Sequence, residues 1–148
     1  MVRVVVDTNV LVSALVGHGK PRRLVLKLLG KHTVILSREM LAELADVLAR
    51  DRFMIKDSQL ERYLSGLVRK SEIVTISTRF KMISEDPDDD TVLNTAYSGK
   101  ANYIVTGDRH LLALREFKGI EIVKVTHMLE ILRLRWKNGY RNGRTTLD

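Results

Sequence analysis

Short runs of β-branched residues alternate with helical patterns along the chain, and this alternation constrains the fold more than any other feature of the sequence. Five runs predict buried strands at 2–6, 33–36, 73–76, 103–106 and 120–125. Helical patterns lie near 8–16, 21–30, 37–50, 57–70, 89–100 and 126–136. Such alternation favours parallel strands, because each return crossing is made by a helix that covers the sheet. We expect a three-layer α/β/α domain with a mostly parallel, about five-stranded sheet.

Two residues support the predicted helix starts. Pro21 suits the first turn of the second helix, and Ser37 is a good N-cap for the third. The domain is expected to span residues 1–136, and the polar, glycine-bearing residues 137–148 predict a basic C-terminal tail.

Bulk composition excludes several kinds of site. The absence of cysteine removes disulfides, thiolate metal sites and thiol nucleophiles. No apolar run approaches the roughly 18–20 residues of a membrane span, and the first residues lack the layout of a signal peptide. Nucleotide-binding loops are also missing, since there is no GxGxxG motif and Gly19-Lys20 is followed by Pro21 rather than Ser or Thr. We therefore expect a cytoplasmic protein with no membrane partner.

Charge is distributed unevenly along the sequence. Residues 85–90 read EDPDDD and hold five of the 18 acids. The 25 lysines and arginines against the 13 other acids give the rest of the chain a net charge of +12. A basic body favours polyanionic partners, whereas a concentrated acidic run favours cations.

Four acids that are far apart in sequence are predicted to converge at one edge of the sheet. Asp7 and Asp108 each follow an apolar strand, Asp89 opens the helix that leads into the fourth strand, and Glu43 lies early in the helix after the second. The carboxyl ends of parallel strands and the following helix starts share one edge, where ligands usually bind. Clustered carboxylates repel one another unless a cation neutralises them, and Mg²⁺ or Mn²⁺ prefers oxygen ligands. The sequence therefore predicts metal-assisted phosphodiester hydrolysis.

Each acid taken alone has a simpler interpretation. Asp7 could cap the helix that begins near Asn9, and Asp108 after Gly107 fits a turn and cap. Glu43 could lie on a helix flank with its carboxylate in water. The acidic run could be a solvated loop that feeds the positive end of a helix.

Four segments resemble the PIN-domain family, in particular its bacterial and archaeal VapC-like branch of toxins from toxin–antitoxin pairs. They are VVVDTNVLVSAL, SREMLAELADVL, DPDDDTVLNTA and YIVTGDRHLLAL, in that order, and the resemblance covers roughly residues 2–130. It implies an α/β/α sandwich and a Mg²⁺- or Mn²⁺-dependent endoribonuclease that cleaves single-stranded RNA. It also implies an antitoxin partner and a homodimer.

The resemblance assigns catalytic and metal-binding roles to the four acids. The family's first acid falls on Asp7, with Thr8 and Asn9 in the accompanying positions, the second on Glu43 and the fourth on Asp108. The third lies within the DPDDD run. It could be Asp86, Asp89 or Asp90, and Asp89 is favoured because it lies seven positions before Ala96, which matches the helix register of the relatives.

His110 is a departure from the family pattern. Many relatives carry another carboxylate two residues after the fourth acid, where this chain has an imidazole. His110 could bind phosphate, although we favour a surface residue at the start of a short helix.

Two basic segments are candidates for RNA binding. Residues 8–38 contain no acid and six bases, and residues 133–144 contain no acid and five bases, interleaved with Trp136 and Tyr140. Lys20, Arg22 and Arg23 are the favoured substrate-binding residues, together with Thr8 and Asn9. The apolar faces near 8–16 and 57–70 could be core, a dimer contact or a site for an antitoxin peptide.

Two other functions fit parts of the pattern. An RNA-binding module could use the same fold without catalysis. An aspartyl-phosphate phosphatase also places an aspartate after its first strand, but it usually needs a second one two residues on, where this chain has Asn9.

Overall fold

The computed structural model describes residues 1–50, 54–81 and 87–141. Within these ranges the strands are β1 (Arg3–Val6), β2 (Thr33–Ser37), β3 (Glu72–Val74), β4 (Tyr103–Val105), β5 (Glu116–Phe117) and β6 (Ile120–Val123). The helices are α1 (Thr8–Val16), α2 (Lys20–Lys31), α3 (Arg38–Leu48), α4 (Asp57–Lys70), α5 (Pro87–Ser98), α6 (Arg109–Leu114) and α7 (Val125–Arg141). This content confirms the predicted α/β class.

All described strands form one sheet in the order β3-β2-β1-β4-β6-β5. Every neighbouring pair is parallel except β5 with β6. The chain moves outward from β1 on one side through β2 and β3, and on the other side through β4 and β6. The carboxyl ends of β1 and β4 therefore flank the point where the strand order reverses, which is the usual ligand position in such sheets.

The central strands are buried under helices, as a three-layer α/β/α arrangement requires. Val4, Val5 and Val6 of β1 are fully buried, and α5 packs against β1, β2 and β4. Burial of each such aliphatic side chain stabilises the fold by about 1.5–3 kcal/mol relative to exposure. Within the described residues, no helix has the length and apolar character needed to cross a membrane.

Both predicted helix starts are confirmed. Pro21 lies in the first turn of α2. Ser37 is the N-cap of α3, and its Oγ accepts a hydrogen bond from the Met40 amide at 3.3 Å. Because Thr95 of α5 also donates its hydroxyl to Ser37 Oγ at 2.8 Å, this cap ties two helices together.

Some predicted boundaries were wrong. The sheet has a sixth strand, β5, which pairs with β6 through a tight turn where Lys118 and Gly119 have φ of 51° and 83°. Helix α7 continues to Arg141, five residues past the predicted end at 136, so the first part of the expected tail is helical. Residues 142–148 lie outside the described residues.

Residues 75–81 have no regular secondary structure but are fastened to α5. The side chain of Asn94 is buried and makes two hydrogen bonds to the backbone of Phe80. Asn94 Oδ1 accepts from the Phe80 amide at 2.8 Å, and Asn94 Nδ2 donates to the Phe80 carbonyl at 3.1 Å. Ser98 Oγ accepts from the Ser77 amide at 3.0 Å. The Phe80 ring also packs edge-on against Tyr97, with centroids 5.0 Å apart.

Candidate functional site

Asp7 follows β1 and is buried beside the end of β4. Val6 pairs with Val105, and the Asp7 amide donates to the Val105 carbonyl at 2.9 Å. Only 8% of Asp7 is exposed. Asp7 occupies the N-cap position of α1, as its simpler interpretation predicted, although its side chain makes no capping hydrogen bond. Burial raises the pKa of its carboxyl group, and the backbone amides of Thr8 and Asn9 nevertheless act against that shift.

The surroundings of Asp7 disfavour its negative charge. Burial is the main effect that raises the pKa of its carboxyl group, and the nearby Asp108 raises it further. A hydrogen bond from the Thr106 hydroxyl to Asp7 Oδ2, at 2.6 Å, opposes this shift. A carboxylate held in this way gains electrostatic stabilisation from a bound cation.

Thr106 links the two strand-end acids, and sequence reasoning missed it. Its fully buried hydroxyl donates to Asp7 and accepts from the Asp108 amide at 3.0 Å. One hydroxyl therefore fixes the Asp7 side chain and the backbone that carries Asp108. The available signal was a hydroxyl residue at the last position of the apolar run 103–106, directly before Gly107-Asp108.

Asp108 caps α6, as its simpler interpretation predicted. Its Oδ1 accepts from the amides of His110 and Leu111 at 2.7 and 3.2 Å. Capping and ligand binding are compatible, because a carboxylate has a second oxygen with its own lone pairs. The cap fixes the orientation of Asp108 at the edge of the sheet.

Asp89 comes from the first turn of α5 and meets Asp108 and His110. It is buried, with 5% exposed, whereas Asp88 is exposed and Asp90 is partly exposed. One possible ligand atom from each of Asp89, Asp108 and His110 lies within 4.8 Å of the others. Asp86 lies outside the described residues.

Glu43 approaches the start of α1 from α3. Thr8 is buried, and its hydroxyl donates to Glu43 Oε2 at 3.3 Å. The partly exposed Glu43 is thus tied to the residue that follows Asp7. This contact gives Thr8 a positioning role, and its predicted role in substrate binding stays a prediction.

The predicted substrate-binding bases lie on the exposed start of α2. Lys20, Arg22 and Arg23 are all exposed. Arg22 Nη1 lies 3.3 Å from His18 Nδ1. Burial raises the pKa of Tyr63 on α4 to about 12, and the nearby Arg22 guanidinium opposes this shift. Asn9 is exposed in the first turn of α1. Their contact with RNA stays a prediction.

The family model for the PIN domain matches residues 3–110, which include every acid described above. The chain belongs to the PIN-domain family. It is 30% identical over 121 residues to the uncharacterized protein MJ1680 of Methanocaldococcus jannaschii, covering 78% of this chain and 76% of that protein. Members of the family are generally nucleases.

Two solved structures are similar to this PIN domain. One is VapBC2 from Rickettsia felis bound to a DNA fragment from its promoter, with a TM-score of 0.60, 18% identity, and coverage of 82% of this chain and 98% of that chain. The other is PAE2754 from Pyrobaculum aerophilum, with a TM-score of 0.60, 20% identity and 90% coverage of both chains. At these identities, the likeness establishes the shared fold.

The side chains at the carboxyl edge of this PIN domain fit a divalent cation. Asp7 and Asp89 are buried carboxylates, and Asp108 repels Asp7 strongly enough to contribute to the raised pKa of its carboxyl. Carboxylate oxygens are the ligands that Mg²⁺ and Mn²⁺ prefer. We conclude that the donor set is chemically suited to such an ion.

Proposed function

We propose that this PIN domain is a divalent-metal-dependent endoribonuclease that cleaves single-stranded RNA. The observation that carries the proposal is the proximity of Asp89 and Asp108 at the carboxyl edge, where a ligand oxygen of each lies within 4.8 Å of the other, and the link through Thr106 from Asp108 to the buried Asp7. Burial of carboxylates beside one another is costly, and a bound cation would offset that cost. Family membership supports the nuclease assignment.

In the proposed site, Asp7, Glu43, Asp89 and Asp108 would hold Mg²⁺ or Mn²⁺, with Asp90 as a further possible ligand. When bound, the ion would polarise a phosphate oxygen and lower the pKa of a water molecule. The chain itself orients the carboxylates through Thr106, Thr8 and the α6 cap. Hydrolysis adds the elements of water across one P–O bond and forms no covalent enzyme intermediate.

The exposed bases at the start of α2, Lys20, Arg22 and Arg23, would attract the RNA backbone. Since α2 contains no acid, this attraction is not opposed by negative charge on the same helix. Asn9 and Thr8 complete the proposed substrate-binding set. An RNA substrate agrees with the expected cytoplasmic location.

The test is cleavage of a fluorescently labelled single-stranded RNA by the full chain, with Mg²⁺, Mn²⁺ or chelator. Asp7→Asn and Asp108→Asn should each abolish cutting while circular dichroism and the unfolding temperature show a folded protein. Glu121→Gln is the matched control, because Glu121 is an exposed acid at the opposite edge of the sheet. Equal cutting by the wild type and both aspartate variants would sink the assignment.

The same assays separate the other interpretations. RNA binding that persists in chelator, with no cleavage by any divalent ion, would identify a non-catalytic module. Trapping of a phosphoryl group on Asp7 would identify a phosphatase.

We further propose that the protein is a VapC-like toxin that pairs with an antitoxin and forms a homodimer. A groove of about 480 Å³ between the end of α1 and the start of α4 supports a peptide partner; it is lined by Leu15, Val16, Met54, Ile55, Gln59, Arg62 and Tyr63. Val16 and Met54 are apolar but 48% and 89% exposed. The fold shared with the VapBC2 structure agrees with this proposal.

Co-expression with the product of the adjacent reading frame tests the pairing. A stable complex that is lost in Val16→Glu, with the unfolding temperature of the variant unchanged, is the expected result. Light scattering of the isolated chain tests the dimer, and a monomer at micromolar concentration would contradict it.

A further inference from the structure

His110 differs chemically from the carboxylates around it. Its backbone amide donates to Asp108 Oδ1 at 2.7 Å, so its Cα is fixed relative to Asp108. Its side chain is exposed at the start of α6, as the sequence predicted, and a ring nitrogen lies within 4.8 Å of a carboxylate oxygen from both Asp89 and Asp108. The imidazole therefore stands beside the two acids on the solvent side of the site.

These separations are close to those of ligands on a single ion. Metal–ligand bonds of about 2.1 Å place two ligands of an octahedral ion about 3.0 Å apart when they are adjacent and about 4.2 Å apart when they are opposite. Separations within 4.8 Å therefore require an inward movement of at most about 2 Å, which an exposed histidine can make by rotation of its side chain.

We propose that His110 is a direct ligand of the divalent ion in this PIN domain, with Asp89 and Asp108, and that its nitrogen shifts ion preference from Mg²⁺ toward later first-row ions. The proposal rests on the metal centre of the proposed function. Carboxylate and water ligands suit Mg²⁺, whereas imidazole suits ions such as Zn²⁺, Ni²⁺ and iron. For one set of ligands, affinity rises from Mn²⁺ to Co²⁺ and Ni²⁺.

The competing role for His110 is a simple electrostatic one. An imidazole that only donates a hydrogen bond to Asp89 or Asp108 would occupy carboxylate lone pairs and would compete with the metal. In that case removal of His110 leaves ion affinity unchanged or increases it. Direct ligation predicts the opposite sign for nitrogen-preferring ions.

The decisive measurement is pulsed electron paramagnetic resonance of the full chain loaded with Mn²⁺, because a directly bound imidazole modulates the electron spin echo through its nitrogen. The wild type should show nitrogen modulation, and His110→Ala should lose it. His127→Ala is the matched control, since His127 is an exposed histidine on α7. Loss of the modulation in both variants or in neither would overturn the proposal.

Isothermal titration with Co²⁺ and Mg²⁺ alone provides the second measurement. His110→Ala should weaken Co²⁺ binding about tenfold or more and change Mg²⁺ binding less, while His110→Asp should restore Mg²⁺ affinity preferentially. Unchanged Co²⁺ affinity in His110→Ala, with binding still abolished by Asp108→Asn, would reject His110 as a ligand but leave the metal centre intact. Failure of the wild type to bind either ion would contradict the proposed function as well.

Discussion

The two edges of the sheet differ in how their charged side chains are arranged. Where the strands begin, Arg3 pairs with Glu72 and donates to the Gly99 carbonyl at 2.7 Å, so opposite charges and polar groups match. Where the strands end, Asp7 and Asp108 repel each other and burial disfavours the Asp7 charge. At the strand-start edge Arg3 and Glu72 neutralise each other, whereas the proposed cation would offset the repulsion at the strand-end edge. The difference agrees with the proposal that the strand-end edge is the functional one.

Apart from the loss of cutting expected for Asp7→Asn and Asp108→Asn, the largest expected effect also comes from the strand-end edge. Asp89→Asn should lower the cleavage rate by about 10²–10³-fold, because it removes a buried charge that orients the ion and the phosphate. Asp90→Asn tests the neighbouring acid by the same change, and Glu72→Gln is a control at the strand-start edge. Single-turnover rates on a labelled RNA measure all three. Greater loss in Asp90→Asn than in Asp89→Asn would assign the third acid to Asp90.

Thr106→Val should produce the next largest effect. It removes the hydroxyl between Asp7 and the Asp108 amide, which should destabilise the fold by about 1–3 kcal/mol and slow cleavage. Thr106→Ser keeps a hydroxyl and should recover most of the rate. Thr33→Val changes a threonine at the strand-start edge and serves as a control for urea unfolding and activity. A wild-type rate in Thr106→Val would show that Asp7 does not need this positioning.

At the strand-start edge, stability should depend on the protonation of His32. Its Nδ1 accepts from the Val2 amide at 3.1 Å, which requires an unprotonated nitrogen. Burial is the main cause that lowers the pKa of His32, with help from the N-terminal ammonium, Arg135 and Lys31. Because the folded pKa lies below the unfolded value of about 6.5, this stability is present above pH 6.5 and is lost as the pH falls toward the folded pKa.

The measurement is urea unfolding of the wild type and His32→Asn between pH 7.5 and pH 5. Asparagine can present an oxygen near the Nδ1 position and does not titrate. The wild type should therefore lose on the order of 1 kcal/mol more than the variant over this range. Parallel curves would show that His32 does not couple to folding.

The smallest effect should come from the Arg3–Glu72 ion pair. Both side chains are more than a third exposed, at 35% and 46%. A double-mutant cycle with Arg3→Met and Glu72→Gln should therefore give a coupling free energy of about 0–1 kcal/mol. Added salt should reduce the coupling. A coupling above about 2 kcal/mol would mean that this edge depends on charge as strongly as the other.

Much of the fold could be predicted because periodicity reflects burial directly. Residues 8–16 were predicted as a helix and form α1, and the acids after β1 and β4 converge because those strands are parallel neighbours. Strand β5 was missed because two residues are too few to show an alternating pattern. It owes its pairing to the turn at Lys118 and Gly119.

The details of the site were less predictable, because hydrogen-bond direction depends on packing. Nothing in the sequence distinguishes Asp7, which does not cap α1 with its side chain, from Asp108, which caps α6. Thr106 could have been read equally well as one more β-branched strand residue. The proximity of His110 to Asp89 joins the starts of two helices, and only the tertiary structure sets that distance.

The Asn94 contact has a consequence for how the domain opens in solution. The amides of Phe80 and Ser77 lie in a segment without helix or strand, yet both donate to side chains of α5. Their exchange with deuterated solvent should therefore follow the opening of the second half of α5 rather than that of a free loop. Residues 77–80 and α5 would then behave as one cooperative unit, although secondary structure alone would separate them.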